Sequence, residues 1–450
     1  MTQSITTVPG GLVKQAAGQD GVPKDGGLHV AVLFHRIGPY HYARLKAAGS
    51  RLRITAIEFS DVDRTYAWDF VQGTDGFLRR TLFSGEAVEE LPGRRVVSRV
   101  HEVLDEVRPQ VVAIPGWSDR CSLAAAGWCQ TRSIPAVMMS ESTEWDGKRN
   151  WWKEALKRQV VCPCSGGLVG GTPHKDYMVK LGMPAERMFL GYDAVDNRYF
   201  QEKTEMLKTE KLKIESRNKY GLPERYFLAS ARFVEKKNLS RLLQAYARYR
   251  QLAANGEIRN QRSEIRNKFQ LSAFPISAFK NAWSLVLLGD GPLKPDLCHL
   301  IADLGLQHCV LLPGFKQYGE LPVYYGLASA FVHASTTEQW GLVVNEAMAS
   351  GLPVLVSNRC GCAMDLVKDG VNGFTFDPYD VEQLANLMSK ISVFNFPLSE
   401  FGAESAGLIS HWGPERFAEG LKSAAEKAIE VGPRGVGIVD RLLLKALIAR

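Results

Sequence analysis

Two glutamates, Glu338 and Glu346, flank a segment whose residue types and spacing suit the binding of a phosphate group. The pattern around them predicts a strand, a glycine-containing loop, and a helix that begins around Gly341 and ends before Gly351. The free N–H groups of residues 341–343 and the positive end of the helix dipole predict a diphosphate site beyond the strand ends. One carboxylate on each side of that site would reach opposite ends of a diphosphate ligand.

This segment carries a resemblance to a known family. Residues 338–354 read Glu-Gln-Trp-Gly-Leu-Val-Val-Asn-Glu-Ala-Met-Ala-Ser-Gly-Leu-Pro-Val, which closely resembles the E-x7-E segment of the group 1 retaining glycosyltransferases. The resemblance implies the GT-B fold of two Rossmann-like domains. It also implies that Glu338 contacts the transferred sugar, that Glu346 binds the nucleotide ribose, and that the amides of Gly341 and Leu342 hold the β-phosphate.

A basic loop follows the first strand of the second half of the chain and runs from Ser230 to Asn238. A diphosphate leaving group gains negative charge as its bond to the sugar breaks, so cations placed there lower the barrier. The family has an arginine followed five or six residues later by a lysine in this loop, and the resemblance gives that role to Arg232 and Lys237, with Lys236 as the alternative register. Taken alone, a basic loop is also typical of a solvated surface.

Two glycine turns follow the next strands of the same half. Gly289 and Gly291 follow the strand that ends at Leu288, and Gly314 and Phe315 follow the strand that ends at Leu312. As isolated tripeptides both are ordinary turns. Their order and position resemble the family's loops that line the donor pocket.

The first half of the chain gives weaker signals. Gly38 lies in the loop after the first strand, where the family's glycine loop approaches the donor, although an ordinary turn fits equally. Many family members have a histidine after the strand that corresponds to Val137–Met139, and this sequence has none there. Glu141 and Glu144 are the candidates for a polar role toward the acceptor. His174 is a further candidate, with helix capping or surface exposure as the alternatives.

A basic helix with two adjacent tryptophans is predicted over Lys148–Arg158. Tryptophan with lysine and arginine is typical of a helix that lies in a membrane interface, and equally of a helix that buries one or both of Trp151 and Trp152 in its own domain. The C-terminal segment Asp440–Arg450 has the same two interpretations.

Composition and charge exclude several classes of protein. No apolar run approaches the roughly 18 residues of a membrane span. The net charge is +7, and the stretch Gln201–Lys280 alone carries 18 Lys and Arg against 8 Asp and Glu, without a nucleic-acid-binding motif. An anionic ligand or membrane patch is therefore expected, and no nucleic acid.

The eight cysteines show no regular disulfide framework, which predicts a reducing compartment and hence the cytoplasm or the inner face of the membrane. Their spacing does not match that of structural zinc sites, so no metal site is expected.

Short apolar strands alternate with amphipathic helices along the whole chain, which predicts an α/β fold with two doubly wound, Rossmann-like domains facing a central cleft. The predicted segments are a flexible lead-in (1–27), an acceptor-side domain (28–200), a donor-binding domain (201–410) with a surface insertion (256–280), and C-terminal helices that cross back (411–450).

The resemblance thus implies a metal-independent, retaining hexosyltransferase that uses a nucleotide diphosphate sugar as donor, needs no cofactor, and acts on a hydroxyl of a glycan or lipid-linked saccharide. One alternative is a degenerate partner subunit that binds the nucleotide sugar without transferring it. A dinucleotide-dependent oxidoreductase is disfavoured, because no G-x-G-x-x-G follows Phe34 or Ser230.

Overall fold

The computed structural model describes residues 27–62, 69, 71, 73–147, 149–207, 209–254 and 282–435. Three predicted segments fall outside these ranges: nearly all of the lead-in (1–27), the insertion (256–280) and the C-terminal segment Asp440–Arg450.

The first domain is built on a seven-stranded parallel sheet in the order β3-β2-β1-β4-β5-β6-β7. Its strands are β1 (His29–Phe34), β2 (Arg53–Ser60), β3 (Leu78–Phe83), β4 (Val111–Pro115), β5 (Ala136–Ser140), β6 (Gly166–Val169) and β7 (Met188–Leu190). Its helices are α1 (Pro39–Gly49), α2 (Gly93–Val107), α3 (Arg120–Arg132), α4 (Trp151–Val161) and α5 (Thr172–Lys180).

Two helices, α6 (Asn197–Glu205) and α7 (Glu210–Tyr220), lead into a six-stranded parallel sheet in the order β10-β9-β8-β11-β12-β13. Its strands are β8 (Tyr226–Ser230), β9 (Ser284–Leu288), β10 (Val310–Gly314), β11 (Ala330–His333), β12 (Val354–Ser357) and β13 (Gly373–Phe376). The remaining helices are α8 (Leu239–Ala254), α9 (Lys294–Asp303), α10 (Leu321–Gly326), α11 (Leu342–Ala349), α12 (Ala363–Leu366), α13 (Val381–Ser392), α14 (Leu398–Ile409) and α15 (Pro414–Val431).

Both sheets are buried on both faces, as their continuous apolar strands predict. Along β1, Val30 and Val32 pack into one apolar cluster while Ala31 and Leu33 pack into another on the opposite face. The predicted pair of doubly wound α/β sheets is confirmed.

The strand order reverses once in each sheet, between β1 and β4 and between β8 and β11. At such a point the loops on the two sides diverge and leave a crevice at the carboxyl ends of the strands, where ligands bind in open α/β sheets. The loops after β8 and β11 are the ones that carry Arg232, Lys237 and Glu338.

The last described helix, α15, returns to the first domain. Phe417, Leu421 and Ala425 pack in the same apolar cluster as Val30 of β1. Gly420 lies so close to β7 that a β-carbon there would be 2.5 Å from the carbonyl oxygen of Leu190.

The tryptophan-rich helix forms at α4 (Trp151–Val161), three residues later than predicted. The interpretation that one or both tryptophans are buried is wrong, because Trp151 is 84% exposed and Trp152 is 44% exposed. Of the helices that the structure describes, none has the length and apolar character to cross a membrane.

Two glycines hold the loops after β8 and β9 against each other. Gly289 has φ +128°, and a β-carbon there would lie 1.8 Å from the carbonyl oxygen of Ala231. At Gly291 a β-carbon would lie 2.7 Å from the carbonyl oxygen of Phe233. Gly314, with φ +84°, has open space where its β-carbon would be. The first two positions therefore need glycine for space, and Gly314 only for its backbone conformation.

We expect Gly289→Ala to lower the free energy of unfolding by about 3 kcal/mol, because two backbone segments must move apart. Gly314→Ala also places a β-carbon on a residue with positive φ but causes no clash, so it should lower the free energy of unfolding by about 1 kcal/mol. Calorimetric melting of both variants against the wild-type chain measures the difference. Equal losses in the two variants would contradict the close packing of the loops.

Candidate active site

The turn after β8 is fixed to the end of β11 by one buried asparagine. Residues Glu235–Lys237 form a 3-10 turn that ends at Asn238, whose backbone is left-handed with φ 57°. The side-chain amide of Asn238 donates hydrogen bonds to the carbonyl oxygens of Ala334 (3.0 Å) and Pro378 (2.7 Å). These two hydrogen bonds fix the turn, and therefore the direction in which the side chain of Lys237 extends.

This turn distinguishes the two candidate lysines. Lys237 is partly buried and forms an ion pair with Glu338. The side chain of Lys236 is exposed, and its carbonyl oxygen accepts a hydrogen bond from the Thr336 N–H (2.9 Å). The geometry thus favours Lys237 for the site, while Arg232 lies exposed in the same loop.

Glu338 is the centre of a buried cluster of charges. Its Oε2 atom accepts hydrogen bonds from Lys237 Nζ, from His333 Nε2 (3.2 Å) and from Ser335 Oγ (3.2 Å). Burial by itself raises the pKa of this carboxyl, but the Lys237 ammonium and the His333 hydrogen bond outweigh it and hold the pKa well below its usual range. Burial lowers the pKa of His333, so its ring is neutral and donates its Nε2–H to the carboxylate.

The first turn of α11 faces this cluster. Gly341 caps the helix with φ +104°, and its missing β-carbon would lie 3.5 Å from Glu338 Cγ and 3.7 Å from His333 Nε2. The amides of Gly341 and Leu342 therefore begin the helix directly beside the Lys237–Glu338 pair. Helix amides and a lysine together make a place for an anion.

Glu346 lies fully buried one turn further along α11 and joins the two domains. Its Oε1 atom accepts a hydrogen bond from the hydroxyl of Tyr40, on α1 of the first domain, and its Oε2 atom accepts one from Tyr325 (2.5 Å). Burial raises the pKa of Glu346 to about 7, while the two tyrosine hydrogen bonds act in the opposite direction.

The two glycine turns lie beside the Arg232 loop. The Phe233 N–H donates to the carbonyl oxygen of Asp290 (2.9 Å), between Gly289 and Gly291, and the Gly289 N–H donates to that of Gly314 (3.0 Å). The structure thus brings together the loops after β8, β9 and β10. Phe315, the next residue, is 38% exposed.

On the first domain, the predicted residues separate into different environments. Gly38 caps α1 with an extended backbone, so no positive φ requires glycine there. Glu141 directly follows β5 and is partly exposed. Glu144 instead pairs with Lys180 of α5, and both of these side chains are more than half exposed.

His174 is a structural contact between the domains. It is fully buried, so the surface alternative is wrong, and its Nδ1 atom accepts from the Gly171 N–H (3.1 Å) at the start of α5, so the capping alternative is confirmed. Its Nε2 atom donates to the carbonyl oxygen of Gln339 (2.9 Å) in the second domain. Both ring nitrogens are engaged, which leaves neither for an acceptor substrate.

Two further hydrogen-bonded contacts connect the domains at this edge. The Asp365 carboxylate accepts from the Thr172 N–H (2.8 Å) and hydroxyl (2.6 Å), and so caps α5 from the other domain. The Trp145 indole donates to the carbonyl oxygen of Arg359 (3.2 Å).

The sequence interpretation did not find His333, Tyr40 and Tyr325. His333 is the last residue of β11, and a polar residue where a buried parallel strand ends is a usable signal for a site. The two tyrosines have no comparable signal, since only the fold brings α1 and α10 to Glu346. Over the described ranges, no three His, Cys, Asp or Glu side chains cluster in a way that could hold a metal ion.

Residues 212–392 match the family described as Glycosyl transferases group 1. Among curated proteins, the chain is 40% identical over 93 residues to the alpha-monoglucosyldiacylglycerol synthase of Acholeplasma laidlawii, and 41% identical over 101 residues to the sulfoquinovosyl transferase SQD2 of Arabidopsis thaliana. The two matches cover 20% and 22% of this chain, and only 23% and 19% of those relatives.

Solved structures resemble the chain over nearly its whole length. Anabaena HepE in complex with UDP aligns with a TM-score of 0.63 at 16% identity, covering 88% of this chain and 98% of that one. The sucrose-phosphate synthase of Thermosynechococcus elongatus aligns with a TM-score of 0.65 at 15% identity, covering 90% and 99%. At these identities the likeness concerns the fold. The predicted resemblance is thus confirmed for residues 212–392, which match the group 1 glycosyl transferases, and the predicted two-domain GT-B fold is confirmed for the chain.

Proposed function

We propose that this protein transfers a hexose from a nucleotide diphosphate sugar to a hydroxyl group, with retention at the anomeric carbon and without a metal ion. The observation that carries the proposal is the buried Lys237–Glu338 pair at the first turn of α11. A cation, a carboxylate and free helix amides within one small region match the diphosphate and the sugar of such a donor.

Each part of the site has a role in this reaction. The amides of Gly341 and Leu342 hold the β-phosphate, and Arg232 and Lys237 neutralise the charge that grows on the diphosphate as the bond to the sugar carbon breaks. The acceptor oxygen forms the new bond to that carbon, and its hydroxyl proton passes to the departing diphosphate oxygen. Glu338 binds the sugar hydroxyls beside this carbon. Glu346 binds the ribose, and the Gly289, Gly291, Gly314 and Phe315 loops line the pocket of the base.

The acceptor is proposed to be a glycan or a lipid-linked saccharide at the cytoplasmic face of a membrane. Trp151 and Trp152 are exposed on the first domain, and Lys153 lies beside them with Nζ 5.3 Å from the centre of the Trp152 ring. Exposed indoles next to a cation suit the headgroup region of a bilayer. The curated relatives named above include a synthase of a glucosylated diacylglycerol, which supports a lipid acceptor.

We expect one sugar nucleotide of a UDP-, GDP- and ADP-sugar panel to bind, since a UDP complex exists for the HepE structure. Lys237→Ala and Glu346→Ala should weaken that binding by roughly tenfold or more, because each removes a direct contact. Lys236→Ala, which removes the neighbouring exposed lysine, is the matched control and should bind as the wild-type chain does. Ligand-observed NMR measures all four proteins.

Two results of this screen would count against the proposal. A folded protein that binds no sugar nucleotide would overturn it. Binding without release of nucleotide, in the presence of lipid and glycan acceptors, would instead identify a partner subunit that binds the donor without transferring it.

Donor affinity should depend on pH through Glu346. With a pKa of about 7, this carboxyl is mostly protonated at acidic pH, where it accepts ribose hydrogen bonds less well. Affinity should therefore fall roughly tenfold from about pH 8 to about pH 6. A sugar nucleotide is a suitable ligand because its diphosphate does not titrate in this range. In calorimetric titrations, the donor affinity of Glu346→Gln should no longer depend on pH. A pH profile of donor affinity in that variant equal to the wild-type profile would refute the assignment.

We expect the α4 tryptophans to bind anionic lipid. Replacing both Trp151 and Trp152 by serine should reduce the fraction bound to phosphatidylglycerol vesicles by roughly fivefold, and added salt should weaken wild-type binding. Phe394→Ser, which removes an exposed apolar side chain of the second domain, is the control. Vesicle flotation with phosphatidylcholine as reference measures the effect. Equal flotation of the serine variant and the wild-type chain would exclude α4 as the contact.

A further inference from the structure

A buried carboxyl group at the cleft edge of the first domain has no N–H, hydroxyl or thiol donor among the described residues. Asp193 follows β7, is 1% exposed, and neither of its carboxyl oxygens is reached by a donor group in the part of the chain that is described. The nearest cation, Arg44 of α1, is also 1% exposed, and its Nη2 atom lies 3.8 Å from Asp193 Oδ1, beyond hydrogen-bond distance. A buried carboxylate left in this state is costly.

The group that resolves this is a second carboxyl. Glu141, which directly follows β5, lies within hydrogen-bond reach of Asp193. Two carboxylates cannot hydrogen-bond to each other, so this contact requires that one of them carries a proton. Burial raises the pKa of both groups, and the Arg44 charge acts against it at each. The Glu141 charge raises the pKa of Asp193 further, whereas the hydrogen bond with Asp193 lowers the pKa of Glu141, so the proton belongs mainly to Asp193. The arrangement is therefore a carboxyl pair that shares one proton.

With one shared proton, the cluster of Glu141, Asp193 and Arg44 has no net charge. Arg44 is oriented by its own hydrogen bond, in which Nε donates to the carbonyl oxygen of Ala194 (2.9 Å). The Tyr192 ring lies 5.4 Å from the guanidinium carbon. The other charges that act on Glu141 are Asp146 on its own loop and Glu338 from the second domain.

The same cluster lies against the candidate active site. A β-carbon at Gly170 would be 2.6 Å from Asp193 Oδ2 and 3.0 Å from the ring of Trp340, two residues after Glu338. Asp193 and Arg44 are buried, whereas Glu141 is partly exposed. Glu141 is thus the end of the cluster that a molecule in the cleft can reach.

We propose that Glu141 binds the acceptor hydroxyl, and that Asp193 and Arg44 act as positioning residues which hold Glu141 and the shared proton in place. This inference rests on the proposed transferase. The cluster as a whole has no net charge, and its shared proton lies between Asp193 and Glu141. Glu141 therefore presents a carboxyl oxygen as a hydrogen-bond acceptor, which matches the O–H donor of a hydroxyl. The neutral cluster does not match an ammonium group or a second carboxylate, so the acceptor atom is assigned to an alcohol of a neutral group.

The test uses the sugar nucleotide that binds in the screen above, with water as the simplest hydroxyl acceptor. Glu141→Gln should slow donor hydrolysis by roughly tenfold or more while leaving the dissociation constant of the donor unchanged. Glu144→Gln alters the nearby exposed glutamate and should hydrolyse the donor at the wild-type rate. Equal hydrolysis rates for Glu141→Gln and the wild-type chain would overturn the role of Glu141.

Asp193 is tested by rescue. In Asp193→Asn the side-chain amide donates to Glu141 in place of the shared proton, so hydrolysis should stay within roughly threefold of the wild-type rate. Asp193→Ala keeps no donor and should lose as much activity as Glu141→Gln. Equal activities of the asparagine and alanine variants would show that Asp193 does not position Glu141.

The shared proton has a readout that does not depend on turnover. In infrared difference spectra of the wild-type chain against Glu141→Gln, we expect the carbonyl stretch of a protonated carboxylic acid at neutral pH, and the same band against Asp193→Asn. Against Glu144→Gln the band should cancel. Absence of the band overturns the proton-sharing pair even if the enzyme is active. A wild-type chain that shows the band but binds no sugar nucleotide overturns the transferase, and the acceptor role with it.

Discussion

The ion pair between Lys237 and Glu338 is the constraint on which the second domain's side of the cleft depends. Its two members come from loops about 100 positions apart in sequence, and they meet because β8 and β11 are neighbours where the strand order reverses. Withdrawing two charges from water is expensive, and their attraction compensates for this only when the remaining hydrogen-bonding capacity is also used. His333 and Ser335 donate further hydrogen bonds to the carboxylate, and Asn238 fixes the turn that carries Lys237.

This arrangement keeps Glu338 ionised before any substrate arrives. A carboxylate whose pKa is held well below its usual range stays charged at every physiological pH, and the lysine beside it stays within reach of the first turn of α11. Such preorganisation is what electrostatic stabilisation of a leaving group requires, because the cations need not be recruited during the reaction. On the proposed function, the lysine would be shared between Glu338 and the arriving diphosphate.

The contacts between the two domains near this site include hydrogen bonds as well as ring contacts, the latter between Tyr40 and Tyr318 and between His174 and Trp340. His174 meets Gln339, Asp365 meets Thr172, and Tyr40 meets Glu346. Hydrogen bonds exchange with water at small net cost, in contrast to a shared apolar core, so such contacts permit the domains to separate and close again. The Tyr40 contact has a particular consequence for the proposed function. Its hydroxyl occupies the Glu346 oxygen that a ribose would use, so donor binding would have to replace it.

Much of the fold follows from the sequence, because buried parallel strands are short continuous apolar runs that alternate with helices. The helix predicted near Leu342–Ala349 is found with these bounds. The strands β3 and β13 were not predicted; both lie at sheet edges, and β3 carries Arg79, which pairs with the buried Glu58 of β2. An edge strand with charged residues lacks the apolar run that marks its neighbours.

The residues proposed for the donor could be named from the sequence for a similar reason, since they lie within two continuous segments with the family's spacing. Of the residues proposed for the acceptor, the sequence analysis named Glu141 but not Arg44 or Asp193, because the three belong to separate elements. No local pattern marks a carboxyl group that matters only through a partner 52 positions away.

The distribution of charge across the cleft gives the two sides different tasks. The cations Arg232 and Lys237 belong to the second domain, whereas Glu141 and Asp193 lie beside Arg44 on the first. On the proposed function, the cations attract the diphosphate of the donor. The cluster of Glu141, Asp193 and Arg44 has no net charge, so it would select a neutral hydroxyl by hydrogen-bond geometry. The carboxyl pair after β5 and β7 would supply that geometry on the edge where the family's histidine is missing, and the two proposed substrates would then be recognised by different physical means.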